Sequence, residues 1–389
     1  MAGPVHVAIT LGGVPGRARL EYGVSGEDRV ACIMADKAVT LPLGPGQSVE
    51  HIVAAPEDDG YWTAYAKVAG ATQVAIDCPG IGCSGPIDWW HEVHGIRSSN
   101  VTRGEGIRIG VVDHSLGDQK WIDAVANLKS WHTFVDGERV DRVALSNTDH
   151  GQDICLLLGA HSGTGSPCLR EGVAPGASLH FVGAGATGAD EDKVEIADVA
   201  LAVGLLSKEI GCDLIVLSLG KRTPSPNLYN AIELARDVGT LCICAAGNSD
   251  APALYPARHK QAVGVAALGK SGVAPRGTLG AATAAAVDLV RGDGELFAWE
   301  SSARGDGVDA IGAGVSVISP AGRGFDLDGT SYAAPIVAGV LAIALAADAA
   351  YMAADRTRRR ANLALARLKA CCRPMGFPPG LFGYGMPGF

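Results

Sequence analysis

Four residues of this chain have side chains and settings that could do chemistry together. Asp113 closes the apolar run Arg108-Ile-Gly-Val-Val-Asp113, and His150 stands in Asp149-His-Gly-Gln-Asp-Ile-Cys-Leu. Asn248 lies in Ala245-Ala-Gly-Asn-Ser, and Ser331 in Asp328-Gly-Thr-Ser-Tyr-Ala-Ala-Pro. A serine hydroxyl is a weak nucleophile at neutral pH and needs a neighbouring imidazole to take its proton. That imidazole needs a carboxylate to select its tautomer and balance the imidazolium charge. A serine at a helix start also offers its own backbone N–H to a developing oxyanion, and the helix dipole adds to the field. An Asn amide at the end of a buried strand can donate to the same oxygen. Taken singly, each residue has an ordinary structural use: a turn or cap for Asp113 and Asn248, a packing role for one His of ten, a helix cap for Gly-Thr-Ser. Their joint order is what points to nucleophilic acyl chemistry.

The elements that must position them alternate. From about residue 105, apolar runs at Ile107 to Val112, Ala177 to Val182, Asp213 to Leu219, Thr240 to Ala245 and Gln261 to Ala267 read as buried strands. Helical patterns fall between and after them, at Gly151 to Gly159, Val194 to Ile210, Leu228 to Val238 and Ser331 to Ala347. Such alternation predicts an α/β fold with a doubly wound, mostly parallel sheet and right-handed crossovers. In sheets of that kind ligands bind beyond the carboxyl ends of the strands.

Residues 1 to about 85 follow a different rhythm. Short alternating runs at His6 to Leu11, Arg17 to Tyr22, Val30 to Met34, Ala38 to Leu43, His51 to Ala54, Trp62 to Val68 and Thr72 to Asp77 are separated by turn residues. They predict a small β-rich N-terminal domain. Cys78-Pro-Gly-Ile-Gly-Cys-Ser-Gly-Pro86 reads as a linker to a second domain over residues 86–389.

Composition narrows the class. Hydrophobic residues make up 48% and charged residues 19% of 389, which excludes a disordered chain. The 53 Gly have no three-residue period, so a collagen-like chain is excluded too. The longest apolar run, Ile336 to Ala347, stops at Asp348, short of the roughly 18 residues of a membrane span. Formal charge is −9, with no basic stripe interleaved with aromatics, so neither a nucleic-acid nor a membrane partner is expected. The cluster Arg356, Arg358, Arg359, Arg360 follows an expected N-cap at Asp355 and reads as a solvated helix face. The N-terminus, Met1-Ala-Gly-Pro-Val-His-Val, lacks a basic and an apolar signal region. A cytoplasmic location with reduced thiols is therefore the expectation.

Asp113, His150, Asn248 and Ser331, in this order on this pattern, resemble the subtilisin-like serine proteases, the subtilases. The likeness extends from Trp90-His-Glu-Val-His through Gly106-Ile-Arg-Ile-Gly-Val-Val-Asp113 to Val173-Ala-Pro-Gly-Ala, Leu217-Ser-Leu-Gly220 and Tyr255-Pro-Ala. It continues through Asp309-Ala-Ile-Gly-Ala-Gly-Val to Gly383-Tyr-Gly, and Gly329-Thr-Ser-Tyr-Ala-Ala-Pro335 is its most specific part. Three places depart from the family pattern: Asp113-His114-Ser115, His150-Gly-Gln-Asp-Ile-Cys-Leu after its first two residues, and Ala334 before Pro335.

The resemblance implies a serine endopeptidase acting on protein or peptide, with Asp113, His150 and Ser331 as the triad and Asn248 in the oxyanion site. It implies that Leu217, Ser218, Leu219 and Gly220 bind extended substrate, and that the loop holding Asp190 and Glu191 borders the cleft. No cofactor is expected. Family members often bind calcium after the histidine helix, but His161 to Glu171 has a single carboxylate, too few for a cation that prefers six to eight oxygens. A specialised processing protease fits the variant motifs. The rival from another class is a catalytically impaired peptide-binding or scaffold protein on the same fold. A nucleotide-binding enzyme is disfavoured because no Gly-rich phosphate loop follows a first strand.

Overall fold

The computed structural model describes the backbone of seven strands between residues 6 and 78. It describes in full residues 88–97, 102–116, 127–141, 150–161, 171–185, 194–274, 289–317, 327–378 and 380–389, with a few isolated positions besides.

The N-terminal strands are β1 (His6–Leu11), β2 (Arg17–Val24), β3 (Glu27–Met34), β4 (Ala38–Thr40), β5 (Val49–Pro56), β6 (Ala64–Lys67) and β7 (Gln73–Cys78). Each coincides with one of the seven expected runs. They form a three-stranded sheet, β4-β1-β7, and an antiparallel four-stranded sheet, β3-β2-β5-β6. The linker expected over residues 79–86 lies outside the described residues.

Beyond it, a nine-stranded sheet runs β10-β9-β11-β8-β12-β13-β14-β15, with β16 also paired to β14. Its members are β8 (Arg108–Asp113), β9 (Leu128–Val135), β10 (Glu138–Asp141), β11 (Ser178–Ala184), β12 (Leu214–Leu217), β13 (Leu241–Ala245), β14 (Ala262–Lys270), β15 (Leu296–Ala298) and β16 (Ala310–Ala313). From β9 to β14 every pairing is parallel, and only β10 and β15 run antiparallel at the flanks. The five expected strands are the five central ones. Their continuous apolar runs, such as Leu-Ile-Val-Leu in β12, are what burial on both faces selects. The hairpin β9–β10 and the short strands β15 and β16 are additions that the sequence pattern did not single out. Among the described residues no helix is long and apolar enough to cross a membrane.

The principal helices are α1 (Trp89–Val93), α2 (His150–Gly159), α3 (Ile196–Gly204), continued by one π-helical turn to Ile210, and α4 (Pro226–Asp237). They are followed by α5 (Thr330–Ala346), α6 (Ala349–Met352) and α7 (Arg358–Cys371). Helix α5 is sheathed by the core on nearly all sides, with Ala333 to Leu345 buried throughout. So apolar a helix has no solvent-facing stripe and must sit inside a large domain.

Helix α7 corrects the reading of the arginine cluster. Its N-cap is Thr357, not Asp355. Arg360 is buried, and its guanidinium meets Asp213 at 3.0 Å through Nε, while Arg356 meets the same carboxylate at 3.2 Å. Tyr351 and the backbone N–H of Arg108 donate to Asp213 as well. Arg358 pairs with Asp237 and Glu233 on α4. The acidic partners come from residues distant in sequence, so local charge density alone reads this clamp as a solvated face.

Candidate active site

The parallel order brings the carboxyl ends of β8, β12 and β13 side by side where the winding direction changes, the usual site of ligand binding in such sheets. Asp113 is the last residue of β8, Ser218 follows β12, and Asn248 lies three residues past β13. The N-termini of α2 and α5 bring His150 and Ser331 to the same edge.

His150 Nδ1 lies 3.0 and 2.9 Å from the two carboxylate oxygens of Asp113. Asp113 is buried and its Oδ1 also accepts the His114 backbone N–H at 2.9 Å, which fixes the carboxylate plane. Nδ1 therefore carries the proton, and Nε2 is left as the basic nitrogen. Gly151 makes this approach possible. A Cβ there would lie 2.3 Å from the Ser115 carbonyl oxygen and 3.0 Å from Asp113 Cβ, so any side chain would push the helix off the strand. Burial of the imidazole opposes its charge. The Asp113 charge and hydrogen bond, together with the Asp153 charge, outweigh it and raise the His150 pKa above its ordinary value.

Asn248 is held by Thr330, which accounts for the Thr in Gly-Thr-Ser. The Asn248 Oδ1 accepts from the Thr330 N–H at 3.0 Å and from its hydroxyl at 2.7 Å. The Thr330 hydroxyl in turn accepts the Gly247 N–H at 3.0 Å. With its oxygen so occupied, the Asn248 amide turns its Nδ2 outward, beside Gly329. A Cβ on Gly329 would lie 3.3 Å from Asn248 Nδ2 and 3.7 Å from the Ser331 backbone nitrogen. The missing side chain thus leaves open the space flanked by two N–H donors.

Ser331 is tied to Ser218, and the cause is Pro335. Proline has no N–H, so the carbonyl four residues earlier, that of Ser331, loses its helical donor. The Ser218 hydroxyl supplies the bond instead, at 2.7 Å. The Ser331 hydroxyl donates to the Ser218 carbonyl at 3.4 Å and not to His150. Tyr332, its ring centroid 5.6 Å from that of His150, walls the site on the far side.

Two clefts flank this centre and share Ser218, Leu219 and Gly220. One, of about 510 Å3, is lined by Asp113, His150, Glu195, Ile196 and Lys221 among others. The other, of about 410 Å3, is lined by Arg222, Gly247, Asn248, Leu254 and Ser331 among others. Leu217, expected to touch substrate, is fully buried between β8 and β13. Asp190 and Glu191 lie outside the described residues, as does most of the segment between His161 and Glu171. Among the described residues no group of three or more His, Cys, Asp or Glu side chains is placed to hold a metal ion.

The parallel sheet, with a carboxylate, imidazole, hydroxyl and amide gathered at one edge, defines the class as an α/β protein with its polar groups at the strand ends. The subtilase family model matches residues 104–371, and the chain belongs to that family. M-protease of Shouchella clausii is 28% identical over 244 residues, 62% of this chain, which spans about half (54%) of that relative. Subtilisin Savinase of Lederbergia lenta is 28% identical over 244 residues, 62% of this chain and 76% of the relative. The major intracellular serine protease of Bacillus subtilis is 27% identical over 252 residues, 62% of this chain and 69% of the relative. Among solved structures, the S41 psychrophilic protease shares the fold with a TM-score of 0.60 at 24% identity, covering 79% of this chain and 99% of its own.

Proposed function

We propose that this chain is a serine endopeptidase that hydrolyses protein or peptide substrates without a cofactor. The observation that carries the reading is the coincidence of two geometries at one sheet edge. Both oxygens of Asp113 face His150 Nδ1, and the Asn248 amide and the Ser331 N–H flank the space beside Gly329. In this mechanism the Ser331 hydroxyl rotates from the Ser218 carbonyl towards His150 and attacks the substrate carbonyl carbon. A C–O bond forms while the serine proton passes to His150 Nε2. The carbonyl oxygen takes the negative charge between Asn248 Nδ2 and the Ser331 N–H. Asp113 stabilises the imidazolium without taking its proton. The imidazolium then protonates the leaving amine as the C–N bond breaks, and water, deprotonated by His150, frees the acyl group. Ser218 to Gly220 would pair with the extended substrate backbone as an added strand.

The test is labelling by a fluorophosphonate probe. Wild type is expected to label, and Ser331→Ala and His150→Ala to lose labelling and peptidase activity by several orders of magnitude. Equal labelling of all three would overturn the assignment. The hydroxyl's bond to Ser218 favours one alternative, a catalytically silent peptide-binding scaffold. That alternative gains if wild type fails to label yet still binds extended peptides.

Within this reading, residues 1–85 form a separate β-domain retained for substrate or partner binding, and the enzyme acts on a narrow set of precursors inside the cell. Purified wild type should keep the mass of the full chain, as Ser331→Ala does. Loss of about 85 residues from wild type alone would make the segment a self-removed propeptide. Broad degradation of casein would exclude the narrow role.

A further inference from the structure

The 410 Å3 cleft beside Ser331 has features that nothing in the triad requires. One wall is Ser218 to Gly220, and the other is Gly247 with Asn248. Leu254 closes the slot between them. A Cβ on Gly220 would lie 2.9 Å from Leu254 Cβ and 3.0 Å from its Cδ1, and one on Gly247 would lie 2.8 Å from its Cγ. The isobutyl group is thus in contact with both backbone walls. Its backbone is pinned on either side, which fixes where the side chain is rooted. The Leu254 N–H donates to the Ala246 carbonyl at 2.8 Å, and the next residue, Tyr255, exchanges backbone hydrogen bonds with Lys221. At the rim stands Arg222, exposed and without a hydrogen-bond or ion-pair partner among the described residues. The described lining contains no carboxylate.

We propose that Leu254 and Arg222 determine which substrate side chain is accepted next to the attacked carbonyl: a short acidic one, Asp or Glu, in preference to large apolar or basic side chains. The inference rests on the protease reading above. A substrate carbonyl oxygen held between Asn248 Nδ2 and the Ser331 N–H puts the Cα bonded to that carbonyl against Gly247 and Asn248. The side chain on that Cα enters this cleft. Leu254 fills the slot between the Gly220 and Gly247 walls and takes up the depth that a Phe ring needs. The remaining room opens towards Arg222, whose guanidinium is a planar, permanently charged partner for a carboxylate. Among the described lining residues a Lys side chain would meet the like charge of Arg222 and no carboxylate. The molecule as a whole is acidic, at −9, so this cation is a local exception to its field.

The experiment compares kcat/KM for fluorogenic tetrapeptide amides that differ only in the residue before the scissile bond: Asp, Glu, Ala, Phe or Lys. Wild type is expected to cleave the Asp and Glu peptides about tenfold or more faster than the Phe and Lys peptides, the range that pocket shape supplies. Leu254→Gly should raise the Phe-to-Asp ratio by about tenfold or more. Arg222→Glu should reverse the Asp-to-Lys order, by a factor that shrinks as salt is raised. Wild type cleaving Phe as well as Asp, or either variant leaving its ratio unchanged, would overturn the proposal. Fluorophosphonate labelling of the same preparations separates the two failures. Normal labelling with the wrong selectivity defeats only the roles of Leu254 and Arg222, and absence of labelling defeats the protease reading with them.

Discussion

The imidazole of His150 is pulled in opposite directions. Burial favours its neutral form, while Asp113, and Asp153 three residues along the same helix, favour the charged one, and the carboxylates win. A base must be neutral to accept the serine proton. With its pKa raised, the fraction of active base falls as pH drops through a value above the ordinary 6.5. Asp153→Asn removes one raising charge, so the acid limb of the kcat/KM profile should move to lower pH, with activity retained at high pH. An unmoved limb would remove Asp153 from this role. Thr330 is the other residue whose meaning changes at this scale. Read as a cap, it would tolerate Val at a cost of roughly 1 kcal/mol in stability. As the holder of Asn248 it should not. Thr330→Val is expected to lower kcat at least tenfold with little change in KM, approaching the hundredfold or greater loss expected for Asn248→Ala. Single-turnover kinetics would distinguish the two accounts.

At the scale of elements, two joints decide whether the site exists. The first is between β12 and α5, where Pro335 frees the Ser331 carbonyl and Ser218 satisfies it. Ser218→Ala leaves that carbonyl without its donor and should cost roughly 1–3 kcal/mol, read as a lowered urea midpoint. The second joint fastens α7 beneath the sheet. Asp213 is almost wholly buried and bound by Arg356, Arg360 and Tyr351. Its removal takes the carboxylate from the buried Arg360 and the part-exposed Arg356, which keep only neutral acceptors such as the Cys212 and Tyr351 carbonyls. Asp213→Ala should destabilise the domain by about 3–5 kcal/mol, the scale for breaking a buried ion pair from one side. A change in melting temperature within error of wild type would show that water reaches those arginines. The arginine run could not be read correctly from its neighbours in sequence, because Asp213 lies more than a hundred residues upstream.

At the scale of the whole molecule, the two ends of the described domain are locked together through His94. Its Nε2 accepts the Ala313 N–H at 3.2 Å, so the proton sits on Nδ1 and is given to the Pro387 carbonyl at 2.6 Å. Complete burial pushes its pKa down to about 4, against the raising effect of that hydrogen bond and with a smaller push from the Arg373 charge. The folded value lies below the unfolded one. The stability it confers is therefore intact above about pH 6.5 and is lost as pH falls towards about 4. The full loss is about 3 kcal/mol from this group. Chemical denaturation of wild type and His94→Gln between pH 7 and 4 should show a flatter pH dependence for the variant.

The sequence by itself determined the class of fold, the seven N-terminal strands, the five central strands of the sheet and the four residues of the proposed centre. The strands rest on local information, apolar period and glycine punctuation, and the four residues on their joint order along the chain and the family resemblance it carries. Only the tertiary structure decided which residues hold those four in place. Thr330 on Asn248, Ser218 on Ser331, Leu254 against Gly220 and Asp213 under α7 are all contacts between segments far apart in the chain. Their energies come from packing and desolvation, which the folded neighbourhood sets and no run of adjacent residues encodes.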